Sequence, residues 1–145
     1  MYNNRPSWDE YYLNLALYAG ARSTCLRRKY GAIIVKDNRI ISTGYNGAAR
    51  GCVNCSDIGT CKREQLGVKP GERYELCESV HAEMNACINA NPSDMIGATI
   101  YIAGRNADGS EASGKPCMMC ARVIKNAQIK KVVYREKDGN IRYEK

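Results

Sequence analysis

Two stretches of the sequence are decisive for the fold and for metal binding: SVHAEMNA at residues 79–86 and KPCMMC at residues 115–120. Each stands at the head of a helical pattern, with His81 at the start of one and Cys117 at the start of the other. Cys117 and Cys120 are three residues apart, which is one helical turn, so both thiols can face one metal ion. A catalytic zinc ion takes three protein ligands and leaves its fourth position to water. The predicted zinc ligands are therefore His81, Cys117 and Cys120.

A carboxylate follows the histidine at a spacing that suits proton transfer. Glu83 lies outside the ligand set, so it is predicted to act as general base and then general acid beside the zinc-held water. Its alternative role is a negative charge that stabilises a helix N-terminus. The backbone N–H of Ala82, between ligand and base, is a predicted hydrogen-bond donor to the substrate. H-x-E followed by P-C-x-x-C is the pattern of the zinc-dependent nucleobase deaminases.

The composition bounds the class of protein. The 145 residues predict one domain over residues 1–145 with a core of its own. No apolar run is long enough to cross a membrane, and the N-terminal residues lack the apolar core of a signal peptide, so we expect a cytoplasmic protein without a membrane partner. The net charge of +7 favours an anionic partner, and a phosphate on a small molecule satisfies it as well as a nucleic acid does. The eight cysteines suggest metal ligands more than disulfides in a reducing compartment.

The first half of the chain predicts one helix and a hairpin. Ser7 and Glu10 have the spacing of a capping box, and helical periodicity predicts a helix from Trp8 to about residue 21. A basic loop follows over residues 22–29. Residues 31–36 and 39–45 predict two antiparallel strands around an Asp-Asn turn. From residue 46 to about 79 the only helical candidate lies near residues 62–66.

The second half alternates helices and strands. The pattern predicts helices over residues 80–91 and 117–127, strands over 99–103 and 131–134, and a final hairpin strand over 141–143, with a Gly- and Ser-rich loop over 104–115. The predicted fold is α/β, a three-layer α/β/α arrangement with a mixed five-stranded sheet.

These residues together resemble a known family. HAEMNA at 81–86, PCMMC at 116–120 and GYNG at 44–47 are similar to the deoxycytidylate (dCMP) deaminases of the cytidine deaminase superfamily, over about residues 8–134. The resemblance implies a cytidine-deaminase-like fold and zinc-dependent hydrolysis of dCMP to dUMP and ammonia, which supplies dUMP for thymidylate synthesis. In the family the GYNG asparagine contacts the sugar, so Asn46 is the expected sugar contact. The loop that matches Arg22 and Ser23 lies near the substrate phosphate in relatives.

The resemblance also implies assembly and control. Members form homo-oligomers, commonly hexamers, and are activated by dCTP and inhibited by dTTP, each with Mg²⁺. No nucleic-acid partner is expected. This chain departs from many relatives in a longer loop over residues 104–115 and in a short C-terminus without a final helix.

The remaining cysteines suggest a second zinc ion. Some bacterial and phage relatives carry a structural zinc here, and a closed tetrahedral site would tie down the long polar loop. Cys52 competes for a place in this site, because residues 52–55 are themselves a Cys-x-x-Cys, and thiols without metal are the alternative reading. Cys87 is expected to be a small core residue. The predicted ligands of the second site are Cys25, Cys55, Cys61 and Cys77.

Other functions stay open on the sequence alone. A deaminase of a base in RNA, of the tRNA adenosine type, would need stacking aromatic residues and a basic track. The GYNG motif favours a free nucleotide instead, and another cytosine nucleotide or nucleoside is a further alternative substrate. A non-catalytic binding module held by zinc would keep the metal without turnover, but the complete set of ligands and Glu83 speaks against it.

Overall fold

A computed structural model describes residues 4–59, 61–67 and 79–145 of the chain. Its strands are β1 (Arg28–Lys36), β2 (Arg39–Tyr45), β3 (Gly47–Ala48), β4 (Ser79–Val80), β5 (Thr99–Asn106), β6 (Glu111–Ala112), β7 (Lys131–Arg135) and β8 (Ile141–Glu144). Its helices are α1 (Trp8–Gly20), α2 (Cys55–Ile58), α3 (Lys62–Gln65), α4 (Ala82–Asn89), α5 (Pro92–Met95) and α6 (Met118–Asn126).

The main sheet is mixed, as predicted. Its strands lie in the order β2-β1-β5-β7-β8, with β5 and β7 parallel and the other neighbours antiparallel. The predicted five strands are all present, and a short sixth strand, β6, pairs with β5. The residues 104–115 predicted as a loop therefore begin as a continuation of β5 and turn back as a hairpin.

Helices cover both faces of the sheet, which confirms the three-layer architecture. One core cluster joins α1 to the sheet through residues such as Leu13, Ile33 and Val133. The other cluster lies beneath α4 and α6 and includes Ile34 and Ile102. Because side chains alternate along a strand, neighbouring residues of β1, β5 and β7 serve opposite clusters.

Two glycines let the helices lie directly on the sheet. A Cβ on Gly31 would collide with the carbonyl of Ala16 in α1. A Cβ on Gly44 would lie 2.5 Å from the carbonyl oxygen of Ala82 in α4. The second contact holds the N-terminus of α4 close to the end of β2, so these two elements meet where the predicted site residues are.

The element ends follow local chemistry, with some shifts from the predicted bounds. Ser7 caps α1, since its Oγ accepts the Glu10 N–H at 3.2 Å, and the helix ends at Gly20. The turn between β1 and β2 has φ angles of 51° at Asp37 and 59° at Asn38, as a tight hairpin requires. The helix predicted from residue 80 begins at Ala82, because residues 79 and 80 pair with β3.

Five elements were missed because they are very short: β3, β4, β6, α2 and α5. The β3–β4 pair has two residues in each strand, too few to show a period of two in the sequence. Helix α2 is a single turn inside the Cys-rich segment. Within the described ranges, no helix combines the length and the apolar character needed to span a membrane.

Candidate active site

The three predicted zinc ligands lie at the N-termini of two neighbouring helices. His81 is the N-cap residue of α4, and Cys117 is the N-cap residue of α6. The Cys117 Sγ accepts the N–H of Cys120 at 3.4 Å, so the thiol at the cap also closes the first turn of α6. Because α4 and α6 pack against each other on the same face of the sheet, the two motifs meet.

The ligand atoms are spaced as a tetrahedral zinc site requires. His81 Nδ1 lies 3.2 Å from Cys120 Sγ and 3.6 Å from Cys117 Sγ, and the three ligand atoms all lie within 4.8 Å of one another. Tetrahedral bonds of the usual Zn–N and Zn–S lengths put nitrogen and sulfur about 3.6 Å apart. The residues present therefore fit a zinc ion. In the described part of the chain, no other group of three histidine, cysteine or acidic side chains converges in this way.

The thiol of Cys120 is buried and needs a cation to stay ionised. Burial, followed by the negative charge of Glu83 and the neighbouring Cys117, raises the pKa of Cys120 far above its ordinary value in the metal-free chain. A metal ion reverses this preference, because it binds the thiolate and displaces the proton. The donor set of two thiols and one imidazole is one that zinc prefers.

Glu83 lies beside the ligands in the first turn of α4, and its side chain is only 6% exposed. Burial raises the pKa of this carboxyl, while its own backbone N–H, the charge of His81 and a hydrogen bond with Cys120 act in the opposite direction. A buried carboxyl with a raised pKa is suited to accept a proton and return it. The arrangement therefore combines a metal-binding set with a separate proton carrier.

A cavity of about 320 Å³ opens from this group, a size that suits a small molecule. His81, Ala82, Glu83 and Cys117 line what we call its metal end. Ala82 is the first residue of α4, and a backbone N–H in the first turn has no partner within its own helix. This N–H can therefore donate to a molecule in the cavity.

Asn46 lines the same cavity and is held firmly in place. Its Oδ1 accepts the Tyr30 N–H at 2.8 Å, and its Nδ2 donates to the Arg28 carbonyl oxygen at 2.9 Å. The side chain is buried. These bonds still leave one Nδ2 hydrogen and one Oδ1 lone pair for a ligand.

The two residues predicted near the phosphate do not line this cavity. Arg22 is exposed, and the buried Ser23 accepts the Cys25 N–H with its Oγ at 3.2 Å. Arg27, Arg28 and Lys115 line the cavity instead. The sequence carried one signal for Arg28: alternation along β1 puts it on the same face as Tyr30, toward the α4 side. Nothing in the sequence places Lys115 there.

Carboxylates neutralise these three cations, which we call the cationic end of the cavity, only in part. Arg27 Nε lies 3.1 Å from Glu64 Oε1, and Arg28 Nε donates to Asn106 Oδ1 at 3.2 Å. Lys115 Nζ lies 3.9 Å from Glu144 Oε1 on an exposed surface. The exposed Lys115–Glu144 pair is weak, Arg28 contacts only a neutral amide, and Glu64 is largely exposed, so these cations remain able to bind an anion.

Three of the four cysteines predicted to bind a second zinc ion line one cavity. Cys25, Cys55 and Cys61 line the same cavity, but their sulfur atoms do not form a converging set of the kind seen at the metal end. Cys77 lies outside the described residues. Cys52 is exposed, and Cys87 is buried in the core cluster beneath α4, as predicted.

A three-layer α/β/α fold with one histidine and two cysteines at paired helix N-termini, beside a buried glutamate, defines the class of zinc-dependent hydrolytic deaminases. Comparison with known proteins agrees. Residues 6–136 match the model of the cytidine and deoxycytidylate deaminase zinc-binding region. The chain belongs to this family.

Individual proteins of known name are also similar to this chain. The chain is 41% identical over 136 residues to a deoxycytidylate deaminase of Mycobacterium phage D29, which covers 90% of this chain and 96% of the relative. It is 37% identical to a deoxycytidylate deaminase of Schizosaccharomyces pombe, but spans only 37% of that longer protein. The crystal structure of dCMP deaminase from cyanophage S-TIM5 in complex with dCMP and dUMP has 28% identity and a TM-score of 0.64, covering 92% of this chain and 85% of that one.

Proposed function

We propose that this protein converts dCMP and water into dUMP and ammonia. The observation that carries the proposal is the buried Glu83 carboxyl beside the converging His81, Cys117 and Cys120, in a cavity that three cations also line. A nucleoside monophosphate suits this cavity. Its base carries the amino group that is released by hydrolysis, and its phosphate can bind the cations. Relatives that carry the name deoxycytidylate deaminase support dCMP as the substrate.

Each residue of the site has a separate role in the proposed reaction. Zinc, when bound by the three ligands, supplies a Lewis acid that polarises water. Glu83 takes a proton from the attacking water and delivers it to N3 of cytosine. It then takes the second proton from the new hydroxyl on C4 and gives it to the departing amino group, so that the C4–N bond breaks, ammonia leaves and the C4 carbonyl forms. The Ala82 N–H and Asn46 orient the base and the sugar.

We propose that the cationic end holds the phosphate. Arg27 is the last residue of the connection between α1 and β1, Arg28 is the first residue of β1, and Lys115 lies in the segment before α6. Charge-assisted hydrogen bonds to phosphate are among the stronger polar contacts in proteins. The role predicted for Arg22 and Ser23 remains a separate proposal, and a matched pair of variants distinguishes the two.

Ammonia release from four substrates tests the proposed function. dCMP, CMP, deoxycytidine and dCTP are compared with the zinc-loaded protein, and dCMP is expected to be the best substrate. Release from none of the four, with zinc present in the protein, would support a non-catalytic zinc-binding module. Equal kcat/KM for dCMP and deoxycytidine would show that no phosphate is recognised.

The finer features implied by the resemblance are proposals of the same kind. Residues 1–145 would act as one catalytic domain in the cytoplasm. Exposed apolar side chains on α4 and α6, such as Ile88 and Met118, support contacts between subunits of a homo-oligomer, for which a hexamer is the proposed size. Sedimentation measures the size, and turnover with dCTP or dTTP in the presence and absence of Mg²⁺ tests the proposed activation and inhibition.

The second zinc ion is likewise a proposal. The presence of Cys25, Cys55 and Cys61 around one cavity supports it, with Cys77 as the expected fourth ligand. It would tie the segment between β3 and β4 to the loop after α1. Metal analysis of the wild-type protein, which is expected to contain two zinc ions per chain, tests it.

A further inference from the structure

Arg28, one of the cations that line the cavity, is held by two asparagines, one at its backbone and one at its side chain. The Asn46 Nδ2 donates to the Arg28 carbonyl oxygen at 2.9 Å, which fixes the first residue of β1. The Arg28 Nε donates to the Asn106 Oδ1 at 3.2 Å. Asn46 lines the cavity, whereas Asn106 does not. Any effect of Asn106 on a ligand in the cavity is therefore indirect.

The pairing of β1 with β5 places Asn106 beside Arg28. The two residues are directly opposite partners in this antiparallel pair. Side chains of directly opposite residues lie on the same face of the sheet and close together. Arg28 is on the same face as Tyr30, which also lines the cavity, because side chains alternate along a strand. The contact between Arg28 and Asn106 is therefore on the face of the sheet that borders the cavity.

The hairpin of β5 and β6 fixes which atom of the Asn106 amide faces Arg28. The Asn106 Nδ2 donates to the Ser110 Oγ at 3.1 Å and to the Glu111 carbonyl oxygen at 3.4 Å, so both amide hydrogens are used within the hairpin. The Asn106 N–H also donates to the Ser110 carbonyl oxygen at 2.8 Å, which fixes the backbone. The Oδ1 is then the atom left for the guanidinium. The hairpin thus presents a fixed acceptor to Arg28.

A neutral amide orients the guanidinium of Arg28 without cancelling its charge. The single bond from the Nε leaves the four N–H groups of the two terminal nitrogens without partners among the described residues. These groups form the planar fork that binds phosphate or carboxylate oxygens. The partners of Arg27 and Lys115, in contrast, are carboxylates. Arg28 therefore combines a fixed direction with a positive charge that no carboxylate of the described chain neutralises.

We propose that Asn106 is a positioning residue for Arg28, which it holds in a direction that lets the guanidinium bind the phosphate of the substrate. This inference rests on the proposed function. A mobile arginine side chain must become ordered when it binds an anion, and this ordering lowers the affinity. Asn106 imposes the order before the ligand arrives, so less affinity is lost on binding.

A double-mutant cycle on two substrates tests the proposal. kcat/KM is measured for dCMP and deoxycytidine with the wild type, Asn106→Ala, Arg28→Ala and the double variant. Asn106→Ala is expected to lower kcat/KM for dCMP about threefold to tenfold, as for the ordering of one long side chain, chiefly through KM. Deoxycytidine has no phosphate, so its kcat/KM should not change. In the Arg28→Ala background, Asn106→Ala should have no further effect on dCMP.

Lys115→Ala provides the matched control cycle. Lys115 lines the same cavity, but its Nζ lies 3.9 Å from Glu144 and not beside Asn106. The losses on dCMP caused by Asn106→Ala and Lys115→Ala are therefore expected to multiply. An effect of Asn106→Ala on dCMP that persists in full in the Arg28→Ala background would overturn the proposal. An equal loss on deoxycytidine would also overturn it, since a general defect of the hairpin acts on both substrates.

The Nε–H resonance of Arg28 gives a readout that needs no turnover. The signal is assigned by its absence from the spectrum of Arg28→Ala, and its hydrogen exchange with water is measured in the zinc-loaded protein. The bond to Asn106 should slow this exchange in the wild type, and Asn106→Ala should accelerate it. Equal exchange rates in the two proteins would show that Asn106 does not hold the guanidinium.

Titration with inorganic phosphate separates this inference from the proposed function. If the wild type releases no ammonia from dCMP, the proposed function fails, and phosphate binding to the zinc-loaded protein decides the role of Asn106. The affinity for phosphate, followed through the backbone N–H resonance of Arg28, should then fall about threefold to tenfold in Asn106→Ala. An unchanged affinity, or no binding of phosphate by the wild type, overturns the inference.

Discussion

Two groups of potential metal ligands line the cavity, and they stand on different kinds of secondary structure. At the metal end, His81, Cys117 and Cys120 come from the N-termini of two packed helices, and their ligand atoms converge within 4.8 Å. Elsewhere in the wall of the same cavity, Cys25, Cys55 and Cys61 come from a loop, a one-turn helix and the segment before another one-turn helix. Their sulfur atoms form no such set among the described residues. Packed helices therefore fix the directions of the ligands at the metal end, whereas a second zinc ion would itself have to draw the other cysteines together.

The two ends also differ in charge. The metal end contains a buried carboxyl, and the cationic end contains two arginines and a lysine with only weak partners. A ligand in the cavity can therefore meet both a proton carrier and an anion-binding group. Variants at the two ends should separate the rate of the chemical step from recognition of the phosphate.

The largest effect is expected from Glu83→Gln at the metal end. Turnover of dCMP should fall by about 10²–10⁴ or more, because the amide cannot carry the proton. Zinc content and thermal stability should remain near those of the wild type, since no metal ligand changes. Ammonia release and metal analysis of the same preparation measure both. Near-normal turnover would show that Glu83 is not the proton carrier.

The next effect concerns the cationic end. Arg27→Ala should lower kcat/KM for dCMP by about 10–100-fold and hardly change the reaction with deoxycytidine, given about 1.5–3 kcal/mol for a charge-assisted hydrogen bond. Arg22→Ala is the matched control, because Arg22 is equally cationic but does not line the cavity. A loss with Arg22→Ala and none with Arg27→Ala would instead place the phosphate beside Arg22.

A smaller effect on turnover is expected from the cysteines outside the metal end. Cys61→Ala should lower the zinc content from two ions per chain to one and reduce turnover only a few-fold, because the catalytic ligands are untouched. Cys120→Ala also removes one zinc ion but should abolish turnover. Metal analysis of the two variants and the wild type makes the comparison. A single zinc ion in the wild type would refute the second site.

The smallest effect is expected for a hydrogen bond between α4 and the end of β2. Asn85 Nδ2 donates to the Tyr45 carbonyl oxygen at 2.8 Å, which ties α4 to the residue before Asn46. Asn85→Ala should destabilise the fold by about 1 kcal/mol, which corresponds to a decrease of about 2–4 °C in Tm. Asn89→Ala is the control, since Asn89 makes a similar bond to Thr43 on an exposed surface. An equal decrease for both would mean that burial of the Asn85 bond adds nothing.

Much of the fold could be predicted because its signals are local. The capping pair Ser7 and Glu10, the Asp37-Asn38 turn and the apolar periods depend on residues a few positions apart, and the structure bears them out. The β6 hairpin and the β3–β4 pair were missed, since each strand has two residues and its pairing depends on distant partners. Short strands contain too little pattern to be recognised.

The sequence by itself determined the candidate metal ligands and the proton carrier, because one helical turn places Cys117 beside Cys120 and Glu83 is only two positions after His81. Only the tertiary structure decided that the two motifs meet, since this requires α4 and α6 to pack side by side on one face of the sheet. It also decided that Arg27 and Lys115 line the cavity while Arg22 does not. The physical reason is that the direction of a side chain in a loop or a short strand depends on long-range register and packing, which no nearby residue encodes.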